Sequence, residues 1–412
     1  MRPGTAIPLV LSLIAGLCLS TVGTTASPAS AAPAPITLAL VTSLTGPSAP
    51  ETANDPAGFV ARIDLQNAEG GVNGHKLVPL VIDDQTNPNV IATAVHAADS
   101  KAFGIVSASP LFFLAAKYPQ EEGVPVTGSY SDGPEWGEQP YTNMFATDLG
   151  SLNTKYPVNT LEGKILRKFG GTVLGTYGYI ISPTSTREAV NVARSFQHAG
   201  GKVGVIDTSI PFGAVNFTTL ALVAKQYHVD ALFPTMIDAS NFALATALKQ
   251  AGVKIRAFVF ATGYDPSLVG SPAWASLQGG YFLSVYRPFS LPDAGTEQMA
   301  AALRKYEHFT KSQFPTMFQY ETWAGADLMI KGLEMAGPDP TRAAVIRDLR
   351  SIRSYDADGL LPHPIDYATV FGHDPPEQCV WILQAHKSGF VPTSTQSICG
   401  TDIPGTSTVG SS

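Results

Sequence analysis

Strand-like and helix-like segments alternate along most of this 412-residue chain, and no other feature limits the fold as much. ITLALVTS (36–43) is a short apolar run suited to a buried strand. PAGFVARIDLQNA (56–68) reads as a helix with Phe59, Ile63 and Asn67 on one face. HKLVPLVIDD, NVIATAVHAADS, FGIVSAS and GVPVTGS follow as strand, helix, strand and strand. Such alternation predicts βαβ crossovers and a parallel sheet. After a strand-like connector (YTNMFATD, 141–148) and the helical LEGKILRKFG, the pattern restarts over about 171–261. TVLGTYGYI, TREAVNVARSFQHAGG, KVGVID, AVNFTTLALVAKQY, VDALFPTM, ASNFALATALKQAG and AFVFAT alternate again, with Gly200-Gly201 as a helix stop. GGYFLSVYRPF (279–289) is a second connector. Three helices then follow: TEQMAAALRKYEHFTKSQ, FQYETWAGADLMIKGLEMAG and PTRAAVIRDLRSI. QCVWILQAH (378–386) is the last strand signal and GTSTVGSS a frayed tail. The pattern implies two α/β lobes of similar size. The late helices need a host, and the first strand series has few long helices of its own. The chain therefore crosses between lobes more than once, and the cleft between hinged lobes is the expected ligand site.

The first 31 residues have one Arg, an apolar stretch at 7–19 and Ala29-Ser30-Ala31, the pattern of a cleaved secretory signal peptide. Leu17 stands where a lipobox needs a small residue, so Cys18 is read as part of the removed leader, not as a lipid anchor. Export narrows the reading of Cys379 and Cys399: a disulfide leads, ahead of two free thiols. A metal site is least favoured, because no His lies at ligand spacing from either Cys. The net charge is −7, from 26 basic and 33 acidic residues with no basic cluster. That argues against nucleic acid. GxSxG, HExxH, P-loop and GxGxxG patterns are missing, the eight His are scattered, and Asp83-Asp84 point to opposite faces of a strand. An enzyme is not expected, nor is a cofactor.

The stretch from ITLALVTSLTGPSAP through NAEGGVNGHKLVPLVIDDQTNP resembles the N-terminus of type I periplasmic solute-binding proteins. The nearest group is the branched-chain amino acid (Leu/Ile/Val)-type substrate-binding proteins of ABC transporters. Leu44-Thr45-Gly46-Pro47, the NAEGGVNGHKL hairpin, Asp83-Asp84, GVPV, DALFPTMIDASNFALATALKQAG and YETWAGADLMIKGLEMAG occur in family order. The resemblance implies two Rossmann-like lobes joined by three crossover segments, with the ligand cleft between them. Lobe 1 is expected at 36–148 plus about 287–365, lobe 2 at 149–286 plus about 366–400, and a flexible tail at 401–412. The implied function is capture of a small polar or amphipathic carboxylate or amino-acid-like ligand and delivery to an ABC permease. The alternative is a sensor of the same fold that signals to a membrane receptor. The protein is expected to be a monomer in the periplasm, cell envelope or extracellular space.

Parallel sheets bind ligands beyond the carboxyl ends of their strands, where a helix N-terminus favours anions. Ser107, Ala108 and Ser109 stand at such an end, before Pro110. The resemblance gives Ser109 the ligand carboxylate, and a plain N-cap is the competing reading. Tyr130 and Ser131 occupy the head-group loop, where turn formation explains the Ser equally well. A carboxylate at Asp132 would repel a bound carboxylate. Ser43 and Thr45 lie at the cleft rim or in an ordinary turn. Asp148 resembles an acid that faces the ligand amine, or else caps a helix. In the second lobe Tyr179, Asp238, Tyr264 and Asp265 fall at strand ends. Tyr264 stands where the family places a Glu, with Asp265 beside it, and Asp238 could instead cap its own helix. Tyr320 and Trp323 are read as core.

Overall fold

The computed structural model describes Met1, Gly4 and residues 33–128, 133–147, 157–213, 215–369 and 377–407. The described residues from Pro33 onward form one compact unit. Its first sheet contains β1 (Ile36–Thr42), β2 (Leu77–Asp83), β3 (Gly104–Ser107), β4 (Val126–Gly128) and β5 (Met144–Ala146), all parallel in the order β2-β1-β3-β4-β5. Successive side chains of β1 point to opposite faces, and both faces are covered. Leu38 and Leu40 join Phe59, Ile63, Val106 and Trp323 on one side. Ala39 and Val41 join Val95, Ile105 and Phe112 on the other.

Helices α1 (Ala49–Thr52), α2 (Pro56–Ala68), α3 (Ile91–Asp99) and α4 (Lys117–Glu121) belong to this half of the chain. Between the sheets in sequence come β6 (Pro157–Asn159) and α5 (Leu161–Lys168). The second alternation follows as β7 (Val173–Tyr179), α6 (Pro183–His198), β8 (Lys202–Ile210), α7 (Phe217–Gln226), β9 (Ala231–Leu232), α8 (Asp238–Gln250), β10 (Ala257–Phe260), α9 (Trp274–Leu277) and β11 (Tyr281–Ser284). The late helices are α10 (Ala294–Tyr306), α11 (Met317–Ala336) and α12 (Arg342–Ser351). The chain ends in β12 (Glu377–His386), β13 (Gly389–Pro392) and β14 (Ile398–Ser407).

The second sheet runs β6-β14-β12-β11-β10-β9-β7-β8, with β13 beside β12. Strands β7 to β11 pair in parallel, and β12, β13, β14 and β6 add an antiparallel flank. Three passages connect the sheets: β5 to β6, β11 to α10, and the segment after α12 to β12. Helix α11 lies against β3, β4 and α2, so the late helices return to the first sheet. Thr316 and Gln319 form a capping box at its start, satisfying donors that no helical turn reaches. At Gly58 a Cβ would lie 2.0 Å from the Gln319 carbonyl oxygen, so only glycine lets α2 and α11 touch there. Tyr320 and Trp323 are buried in this core, the Tyr320 hydroxyl donating to the Arg287 carbonyl at 2.9 Å.

Four sequence expectations need correction. QCVWILQAH is not the last strand, because β13 and β14 follow it. Strand β14 continues to Ser407, inside the 401–412 segment read as a flexible tail. Its Pro404 and Gly405 disguise a strand whose order comes from pairing with β12 and β6. GGYFLSVYRPF is also more than a connector, since β11 is a central strand with Phe282 fully buried. The helix expected over TEQMAAALRKYEHFTKSQ ends at Tyr306, and His308 turns the chain with φ 58°.

Candidate functional site

At the carboxyl edge of the first sheet, the hydroxyl residues are organised by Asp84, which is fully buried. Ser43 Oγ donates to Asp84 Oδ1 at 2.5 Å, the Thr86 N–H donates to the same oxygen at 2.8 Å, and Ser109 Oγ donates to Oδ2. Ser109 Oγ also accepts from the Leu111 N–H at 3.1 Å, which is the cap arrangement. Thr45 is turned to Asp83, its Oγ1 donating at 2.7 Å. The Ala108 N–H donates to the Val41 carbonyl at 3.0 Å and its side chain is buried. Ser107 Oγ is buried with no hydrogen-bond partner among the described residues. None of these residues lines the interlobe cavity described next; Pro110 and Leu111, one step further on, do. Tyr130, Ser131 and Asp148 lie outside the described residues, as does Asp132.

That cavity, of about 260 Å³, is built where both sheets present strand ends. Leu111, Met317 and Glu321 come from the side of the first sheet. Tyr179 ends β7, Phe233 and Thr262 follow β9 and β10, His363 comes from the third passage between sheets and Cys379 from β12. Most of the lining is aliphatic or aromatic. At the N-terminal turn of α6, Ser182 caps the helix by accepting from the Ser185 N–H at 3.1 Å. Next to it, Thr184 lines the cavity with an Oγ1 that is shielded from solvent and has no hydrogen-bond partner among the described residues. Glu162 and Glu188 stand in the same wall. Burial, and then the neighbouring Glu188 carboxylate, push the Glu162 carboxyl up to about 8. Tyr179 lines this cavity, as do Met236, Ile237 and Thr262 from the same strand ends; Tyr179 is 3% exposed, and its hydroxyl donates to Ser240 Oγ at 2.6 Å.

Asp238, Tyr264 and Asp265 line a second, separate cavity of about 330 Å³, together with Glu51, Phe242 and Phe318. Asp265 caps a short turn, accepting from Ser267 N–H and Oγ, each at 2.8 Å. Tyr264 packs edge-on against Phe390 at 5.2 Å, and burial raises its phenol. Asp238 begins α8, and Thr262 Oγ1 donates to its Oδ1 at 2.5 Å. Its N–H donates to Glu51 Oε2 at 2.7 Å, a bond that joins α1 of the first half to α8 of the second. Glu51 drew no attention in the sequence, since one acid beside a Pro-rich turn looks like any surface acid.

Cys379 and Cys399 sit directly opposite each other on β12 and β14 and are joined, with S–S 1.97 Å and Cα–Cα 4.1 Å. The sequence placed no His near them, but the fold brings His363 Nε2 to 2.7 Å from Cys379 Sγ. Sulfurs bonded to each other offer no thiolate to a metal.

A family model described as periplasmic binding protein matches residues 35–389. No curated protein sequence matches the chain. Among solved structures, a fatty acid ABC transporter substrate-binding protein from Thermomonospora curvata is similar at 17% identity and TM-score 0.72, covering 88% of this chain and 92% of that one. An ABC transporter solute binding protein from R. palustris, in complex with benzoate, is similar at 15% identity and TM-score 0.72, covering 91% and 99%. A branched-chain amino acid transporter substrate binding protein from Streptococcus pneumoniae, in complex with isoleucine, is similar at 14% identity and TM-score 0.69, covering 89% and 99%. At these identities the likeness is one of fold.

Proposed function

Because the chain belongs to the periplasmic binding protein family, we propose that it is an exported solute-binding protein that captures a small amphipathic carboxylate or amino-acid-like molecule and delivers it to an ABC permease. One observation carries the reading. A largely apolar cavity of about 260 Å³ opens where the strand ends of both sheets meet, which is where doubly wound sheets hold ligands. Its lining suits a ligand with an apolar body. The polar end is assigned to the first turn of α6, where the Thr184 hydroxyl awaits a partner and the helix N-terminus favours an anion. Ser109 loses its original role in this reading, because its proton is already given to Asp84. Of the three similar proteins, one is named for a fatty acid and two are in complex with benzoate and isoleucine. Each of these molecules joins an apolar body to a carboxylate.

The lobes that close on the ligand are taken as 36–148 with about 287–365, and 149–286 with about 366–400. Strand β14 extends the second lobe to Ser407. The apolar leader and the joined cysteines support export. Among the described residues no helix is long and apolar enough to cross a membrane. The purified protein is expected to be monomeric.

The test is a thermal-shift screen of the mature protein against branched-chain amino acids, aromatic acids and medium-chain fatty acids. A ligand that binds only the folded form stabilises it by mass action, by about 2.7 kcal/mol at a hundredfold excess over Kd, and so raises Tm. If all three classes leave Tm unchanged, this ligand class is wrong.

A further inference from the structure

Among the described residues, the fold gathers one trio of side chains with the donor atoms of a metal site: His363, Cys379 and Cys399. His363 Nε2 lies 2.7 Å from Cys379 Sγ and 3.7 Å from Cys399 Sγ, and the donor atoms all fall within 4.8 Å of one another. The two sulfurs are bonded to each other here, and they offer no thiolate while that bond stands. We propose that the cross-link is one state of a redox-gated metal site. Once a dithiol reduces the Cys379–Cys399 bond, the two thiolates and the His363 imidazole bind one Zn²⁺ ion between them. The site is independent of the ligand assigned to the cleft.

Reduction transfers two electrons and two protons from the dithiol to the Cys379–Cys399 bond. The dithiol becomes a disulfide, and each cysteine is left as a thiol. Zn²⁺ then displaces the proton of each thiol, so uptake of one ion releases two protons. Thiolate sulfur and neutral imidazole nitrogen are the donors that suit this ion. Two thiolates balance its charge, and a neutral assembly is tolerated where Cys379 is buried and its two partners are half-buried.

The ligands stay together when the bond is cut. Cys379 and Cys399 face each other across β12 and β14, and the registers on either side, Gln378↔Gly400 and Val380↔Ile398, hold the strands without the sulfurs. A tetrahedral ion with Zn–S of about 2.3 Å keeps its sulfurs about 3.8 Å apart and a sulfur and a nitrogen about 3.6 Å apart. The distance from His363 Nε2 to Cys399 Sγ, 3.7 Å, already matches. Rotation about the Cα–Cβ bonds of the two cysteines supplies the rest. His363 stands between Pro362 and Pro364, and the two rings restrict the backbone on both sides of it. His363 and Cys379 line the interlobe cavity, which gives both the reductant and the ion a way in. The sequence hid the trio because His363 lies 16 residues from Cys379 and 36 from Cys399.

Zn²⁺ titration of the mature protein tests the site. The protein is reduced with a phosphine, freed of reductant without air, and titrated against a chromophoric chelator. The reduced wild type is expected to take up one Zn²⁺ per chain, to release two protons and to gain Tm on binding. The oxidised protein is expected to take up none. His363→Ala keeps both thiols and is expected to lose the uptake, as is Cys399→Ser. Co²⁺ added to the reduced wild type should give thiolate-to-metal charge-transfer bands and the visible absorption of a tetrahedral ion, a readout that needs no variant to fold. Equal Zn²⁺ uptake by the reduced and oxidised wild type overturns the proposal. So does a Co²⁺ spectrum without thiolate bands, and so does undiminished uptake by His363→Ala.

Discussion

Replacing both Cys379 and Cys399 by Ala removes a cross-link that closes a loop of 20 residues. In the chain-entropy description, the cross-link lowers the entropy of the unfolded chain by about 11 cal/mol/K for a loop of this length, which is about 3 kcal/mol at 25 °C. The folded side loses little, because Cys379 and Cys399 keep their strand pairing through the neighbouring Gln378↔Gly400 and Val380↔Ile398 registers. Unfolding entropy near 60 °C is about 2.1 cal/mol/K per residue, or roughly 0.8 kcal/mol/K for the mature chain, so the expected fall in Tm is about 4 °C. Differential scanning calorimetry of the wild type and the double variant measures it directly. The wild type under a phosphine reductant should match the variant. A double variant melting within about 1 °C of the wild type would refute the entropic argument. It would mean that the unfolded chain is already restricted between β12 and β14 without the bond. Cys379 also lines the cavity proposed for the ligand, so the same variant checks whether the cross-link shapes that cavity as well as the stability.

Thr184→Val keeps the shape of the cavity wall and removes the hydroxyl assigned to the ligand. Affinity for the best hit of the screen should fall by about tenfold, the value of one hydrogen bond to a charged group, as read by calorimetric titration. Glu162→Gln should make stability less dependent on pH. The wild-type carboxyl binds its proton more tightly folded than unfolded, so stability declines as pH rises from the ordinary Glu range to about 8 and is level above it. Denaturant titrations at pH 6 and 9 should show a smaller difference in the variant. Gly58→Val forces side-chain atoms onto the Gln319 carbonyl and should cost about 1–3 kcal/mol or more in urea unfolding, with α2 and α11 displaced.

Much of the architecture could be read in the order of apolar runs. Segments such as ITLALVT and AFVF are buried on both faces, and nothing but a covered parallel sheet accommodates such strands. The late helices also found their host as the first strand series implied. The strands missed by sequence reasoning are those whose order comes from partners. Pro157–Asn159 is three residues long, and Ile398–Ser407 contains Pro404 and Gly405. Neither has a local preference that announces a strand.

The candidate residues divide on the same principle. Hydroxyls and acids gather at strand ends, because βα turns expose backbone donors there. Position in the chain, however, does not say which partner each side chain takes. Ser43 and Ser109 are drawn to Asp84, Thr45 to Asp83, and Asp265 to Ser267. The hydroxyl of Thr184, the Glu162–Glu188 wall and the Glu51–Asp238 pair became meaningful only where the two sheets meet. Hydrophobic period and chain order act locally, so they were enough to specify the alternation and the covered sheets. The cleft had to wait for the assembled fold, because burial and a hydrogen bond of 2.7 Å there depend on residues 187 positions apart.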